Sequence, residues 1–132
     1  MIEEKILTEY HNIAVVGASS NPERGSYKVA SYLMKHGYHV IPVNPSAQEI
    51  LGKTSYPNLS SIPEKVEVVN IFRPSEEVMP IVDEAIKIGA KAVWMQKEII
   101  NEEAAAKARG AGLLVVMNKC MHDEHQRLTQ KG

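Results

Sequence analysis

The stretch Gly17-Ala18-Ser19-Ser20-Asn21-Pro22-Glu23-Arg24-Gly25-Ser26 concentrates small and polar residues between two glycines and runs into a helical pattern. Such a turn delivers backbone N–H groups to a helix start, which suits a phosphate. Arg24 and Lys28 put two cations beside it, a pairing fit for a pyrophosphate or a ribose phosphate. The competing reading is a surface loop with solvated basic residues. An NAD site would carry G-x-G-x-x-G and an acidic residue closing the second strand, where it binds the ribose diol. Here seven residues separate the glycines and that strand closes on Val43-Asn44-Pro45. A nucleotide whose ribose already bears a phosphate fits better, because a carboxylate there would repel it. No G-x-x-x-x-G-K-[ST] run is present, so ATP hydrolysis is not expected.

Other reactive types are sparse. Ser19 and Ser20 have no motif-linked histidine and no G-x-S-x-G elbow, so no nucleophile–base pair can be assigned. Cys120 is the single cysteine; it cannot close an internal disulfide, and a lone thiol in a reducing compartment is either inert or reactive. Cys120-x-His122-x-x-His125 brings two imidazoles to one helical face, but no second Cys or carboxylate pair at ligand spacing supports a metal, and a polar terminal helix explains it. No metal is expected. His11, His36 and His39 are isolated, and Trp94 reads as core.

These residues need positioning, and hydrophobic periodicity shows how. Asn12–Val16, Tyr38–Val43, Val66–Phe72, Ala92–Met95 and Leu113–Met117 are short apolar, β-branched runs, the pattern of strands buried on both faces. Pro42 removes a ladder donor and is expected at the end of its strand. Between the runs lie helical patterns. One starts at Ser26 and ends near His36 before Gly37; a second follows Ser75-Glu76-Glu77 to Ile88 and closes on Gly89; a third is capped by Asn101 and runs to about Arg109. His122–Gln130 forms a terminal helix. Pro80 predicts a local irregularity, and residues 46–64 read as loop with one short strand near Thr54–Tyr56. Repeated βαβ units build a parallel sheet covered on both faces, so the fold class is α/β, doubly wound and Rossmann-like, with about five strands. Ligands of such sheets bind outside the carboxyl ends of the strands.

A chain of 132 residues is expected to form one domain, residues 1–132 with a core of about 8–128. Fifteen basic against 16 acidic residues, a formal charge of −1, give no global field to attract nucleic acid or anionic lipid, so any anion site must be local. The N-terminus lacks the apolar stretch of a signal peptide and the longest apolar run falls short of a membrane span; a cytoplasmic location is expected.

IAVVGASSNPERGSYKVASYLMKHGYHVIPVNP, the later VVNIFRPSEEV, the VWMQ strand end and the closing GLLVVMNKC resemble the small stand-alone CoA-binding protein family, itself similar to the N-terminal CoA-binding domain of the succinyl-CoA synthetase alpha subunit. The resemblance covers about residues 8–128. It implies that Gly17, Ala18, Ser19 and Ser20 line the CoA diphosphate, that Arg24, Gly25, Ser26 and Lys28 complete the phosphate cradle, and that Val43, Asn44 and Pro45 flank the adenosine. Phe72, Arg73 and Pro74 would sit beside the nucleotide and the start of the pantetheine arm. Two departures stand out: Lys97-Glu98 follow Gln96 where the family commonly has glycine, and Asn118-Lys119-Cys120 replaces its common Asp-Arg-Cys. Cys120, beyond the last strand, is either a small buried hydrophobe or a thiol able to meet the CoA thiol in a mixed disulfide. The implied function is binding of CoA or an acyl-CoA by a non-catalytic carrier, sensor or accessory protein, with room for a homodimer or a separate partner subunit. The alternatives are an NAD(P)-binding redox domain and a partial CoA-ligase subunit.

Overall fold

Strand residues alternate between two apolar layers, and this alternation fixes the architecture. In the computed structural model, which describes residues 1–130, β1 (Asn12–Val16), β2 (His39–Val43), β5 (Val68–Ile71), β6 (Ala92–Met95) and β7 (Leu114–Val116) form one parallel sheet in the order β2-β1-β5-β6-β7. Glu49–Ile50 and Lys53–Thr54 make a separate two-residue hairpin, β3 and β4. Ala14, Val16, Ile41, Val43, Val69, Ile71, Val93 and Met95 face helices α3 (Val78–Lys87) and α4 (Glu102–Gly110). Their sequence neighbours Ile13, Val15, Val40, Val68, Ala92 and Trp94 face α1 (Ile2–Glu9), α2 (Gly25–Lys35) and α5 (Met121–Gln130). Side chains of a strand alternate faces with period two, so every strand is covered twice, as its continuous apolar run predicts.

Four local outcomes refine the sequence reading. The helix before β1 carries no side-chain cap, and only Ile6 and Leu7 are buried on it, so it gives a weak sequence signal. Pro42 lies inside β2, opposite Val15, rather than at its end. Its carbonyl accepts from Tyr56 N at 3.1 Å on the side away from β1, so its missing N–H also points outward from the edge strand, where no ladder donor is lost. Pro80 causes no break in α3. A 3-10 turn at Ser75–Glu77 precedes the helix, which makes Pro80 its third residue, within the first turn whose N–H groups have no intrahelical acceptor. Ser75 is therefore not a cap; its Oγ accepts from Ile100 N, whereas Asn101 does cap α4 through Ala104 N.

Glu67 ties the amino ends of the central strands. Its carboxylate accepts from His11 N and Asn12 N at 2.9 and 3.0 Å, and its carbonyl accepts from Lys91 N and Ala92 N. Burial pushes its pKa up, but the two backbone donors and the charges of Lys65 and His11 outweigh this and leave it below the ordinary 4.5. A depressed folded-state pKa means stability that is fully present above the unfolded value and lost as pH falls through the folded one. Glu67→Gln is expected to lower stability at pH 7 by about 1 kcal/mol, the difference between charged and neutral acceptors, and to flatten its decline below pH 4.5. Urea unfolding from pH 7 to 3 checks both; parallel profiles would refute the assignment. No helix among the described residues is long and apolar enough to cross a membrane.

Candidate functional site

The carboxyl ends of β1, β2 and β5 open on a cleft of about 890 Å³. β1 ends on Gly17, where φ is +87° and a Cβ would lie 2.7 Å from the Phe72 carbonyl oxygen. Only glycine lets the β1 turn pass this close to β5. Gly17 N and Ala18 N both point to the Val43 carbonyl, at 3.0 and 3.3 Å, so they hold the turn against β2 instead of facing a ligand. Asn44 reinforces this join: its Nδ2 donates to Ala18 O at 2.7 Å, its Oδ1 accepts from Ser46 N, and its N–H donates to Tyr56 O. Within the turn, Asn21 N donates to Ser19 Oγ and Glu23 N to Asn21 Oδ1, which folds the loop on itself.

The anion-ready groups lie further along. α2 begins at Gly25 after Arg24, which makes no side-chain cap, and the first backbone bond of the helix runs from Lys28 N to Arg24 O. The N–H groups of the first turn therefore emerge at the helix end without an intrahelical acceptor, where the dipole favours negative charge. Arg24, Gly25 and Ser26 all line the cleft. Among the described residues neither Arg24 nor Lys28 enters an ion pair.

The opposite lip mixes charges. Arg73 is held by Glu77 in a fork, with Nη2 at 2.8 and 3.1 Å and Nε at 3.1 Å from the carboxylate. Glu84 is engaged with Leu59 N, Ser60 N and Ser60 Oγ at 2.9–3.1 Å, fixing the 3-10 turn Leu59–Ser61 over α3. With these two carboxylates occupied, Glu76 is the acidic lining residue left without such a partner among the described residues.

The cleft brings together Gly17, Ala18, Ser19, Arg24, Gly25, Ser26, Val43, Asn44, Pro45, Phe72 and Arg73. Ser20, Lys28 and Pro74 do not line it, although Lys28 is exposed one turn along α2 from Arg24. Cys120 does not line it either. It follows β7, after which the chain turns back over β6, with Lys119 N donating to the Met95 carbonyl at 3.3 Å, and it packs with the layer of α1, α2 and α5. Sequence reasoning missed Pro57, Asn58, Leu59, Pro80, Ile81 and Glu84, which line one wall of the cleft where α3 packs on the 3-10 turn. A spacing rule carries no signal for that contact.

Several known proteins are similar to this chain. The profile of the CoA binding domain family matches residues 11–126. The Bacillus subtilis protein YneT is 35% identical over 122 residues, 92% of this chain and 90% of its own. A protein of solved structure from Pyrococcus horikoshii superposes with a TM-score of 0.94 at 50% identity, over 96% of this chain and 89% of that one. The alpha subunit of ADP-forming acetate–CoA ligase II from Pyrococcus furiosus is 34% identical over 82 residues, 61% of this chain and 18% of that subunit, so the match spans a small part of the ligase. The resemblance seen in the strand ends is borne out: the chain belongs to the CoA-binding domain family and is homologous to domains of ADP-forming acetate–CoA ligases.

Proposed function

We propose that this protein binds coenzyme A, free or acylated, in the cleft at the ends of β1, β2 and β5, as a carrier, sensor or accessory protein without catalysis of its own. The observation that carries the reading is the uncapped first turn of α2 opening on that cleft beside Arg24, which is not ion-paired among the described residues. The N–H groups of Gly25 and Ser26 hold the diphosphate, and Arg24, with Lys28 in reach behind it, meets the phosphate on the ribose. Val43, Asn44 and Pro45 offer the adenosine a wall without a carboxylate, which is why a phosphorylated ribose is accepted there and a bare diol gains little. Phe72 and Arg73 flank the start of the pantetheine arm. Family membership supports the choice of CoA over other nucleotides.

Calorimetry with CoA, dephospho-CoA and NAD tests this. CoA is expected to bind more tightly than dephospho-CoA by about tenfold, the worth of a charge-assisted hydrogen bond, and Arg24→Ala is expected to erase that difference. Equal affinity for CoA and dephospho-CoA would refute the Arg24 contact. Tight NAD binding undisturbed by CoA would instead establish the NAD(P)-binding alternative. The ligase homology favours one further reading, an accessory chain that completes a site on a partner subunit, which stable co-purification of a ligase-like chain would reveal.

A further inference from the structure

We propose that Cys120, His122 and Asp123, at the first turn of α5 and outside the residues that line the CoA cleft, form a site for one borderline-soft divalent transition metal, of the zinc and cobalt class. One ligand atom from each, a sulfur, an imidazole nitrogen and a carboxylate oxygen, all lie within 4.8 Å of one another. The arrangement follows from how α5 starts. Cys120 O accepts from Glu124 N, and the helix begins at Met121, so Cys120 stands at the N-cap position and Asp123 at the third helical residue. Side chains at those two positions face each other across the first turn. His122 completes the group with Nδ1 3.1 Å from Asp123 Oδ1, and its ring lies 4.0 Å from that of Tyr32 on α2, which limits its rotation.

The first turn of α5 is held in place before any ion arrives. Met121 is fully buried and its N–H donates to Gln96 Oε1, while Lys119 O accepts from Trp94 Nε1 at 2.8 Å. Gln96, just after β6, in turn donates to Asn70 of β5, and both are buried. The neighbouring cations are neutralised, Lys119 by Glu3 and Arg127 by the buried Glu124, so the local charge facing an incoming ion is that of Asp123. Cys120 and His122 are half-buried and Asp123 is exposed, which leaves the ion a path from water.

Sulfur, nitrogen and oxygen in one set select borderline-soft metals over calcium or magnesium, and three protein donors leave a fourth position for water. Binding replaces the thiol proton, so one proton is released as the metal–sulfur bond forms. His125, one turn further along α5, is not part of the group: its Nδ1 lies 2.7 Å from the Tyr32 hydroxyl.

Titration of chelator-stripped, reduced, full-length protein with cobalt(II) under anaerobic conditions tests the site. A near-ultraviolet thiolate-to-cobalt absorption band is expected to saturate at one equivalent. Cys120→Ser is expected to abolish the band, and His122→Ala and Asp123→Asn to weaken cobalt binding by about tenfold or more. His39→Ala, whose imidazole pairs with Glu64 elsewhere, is expected to leave the titration unchanged. Circular dichroism confirms that each variant is folded. Absence of the band at saturating cobalt would overturn the proposal, as would a band of unaltered midpoint in both His122→Ala and Asp123→Asn, which marks a bare thiol.

Discussion

Gly17→Ala is expected to cost the protein both stability and its ligand. At φ +87° an alanine is strained by roughly 1–2 kcal/mol, and its Cβ would also stand 2.7 Å from the Phe72 carbonyl oxygen. That oxygen is backbone, so the ends of β1 and β5 must separate, although Phe72 N donates to Val16 O at 2.8 Å on the same join. A midpoint lower by on the order of 10 °C follows for a chain of this size, with CoA affinity reduced at least tenfold because the turn shifts relative to α2. Gly25→Ala provides the contrast. A Cβ there meets nothing within 4 Å, so helix propensity alone predicts unchanged or slightly higher stability. If Gly25 N–H holds a phosphate as proposed, the methyl group would intrude on it, so affinity should fall while the melting temperature holds. Thermal melts and calorimetry on the two variants separate the roles; wild-type behaviour of Gly17→Ala would mean that the close approach of β1 to β5 is dispensable.

Trp94→Ala is the substitution with the largest expected loss of stability, about 3–5 kcal/mol for an aromatic removed from a packed core. The side chain is fully buried in the layer beneath α1, α2 and α5, and its Nε1 is the donor that satisfies the Lys119 carbonyl at the entrance to α5. Truncation leaves a cavity and an unmatched acceptor together. Urea unfolding followed by far-ultraviolet circular dichroism is the suitable measurement, since Trp94 is the sole tryptophan and its fluorescence goes with it. The folded fraction should bind CoA normally, because Trp94 is no part of the cleft. A loss under about 1 kcal/mol would show that the layer closes over the gap.

The strands were legible because burial on both faces leaves a simple mark: Asn12–Val16 and Ala92–Met95 coincide with β1 and β6 residue for residue. Helix α1 was not, because a single buried turn around Ile6 and Leu7, without a capping residue, looks like any mixed N-terminal segment. For Pro80 the sequence showed the awkward residue but not the preceding 3-10 turn that shifts the helix start to accommodate it. The first strand-to-helix turn announced itself through glycine spacing and Arg24. Its inner wiring did not, since Gly17 and Ala18 have N–H groups committed to Val43, a residue 26 positions further on than Gly17. Cys120 shows a different limit. Chain order places it after a strand end like the others, and only the return of the chain over β6 into α5 sets it in the layer of α1, α2 and α5 instead of in the cleft lining.

The outward-facing Pro42 also bears on how this protein meets other chains. Its carbonyl and both main-chain groups of Tyr56 are already consumed by the strap that runs along β2, and the proline ring offers no donor beside them. A foreign strand approaching β2 at Pro42 finds the carbonyl taken and no donor beside it, so the carboxyl half of that edge is guarded against edge-to-edge polymerisation.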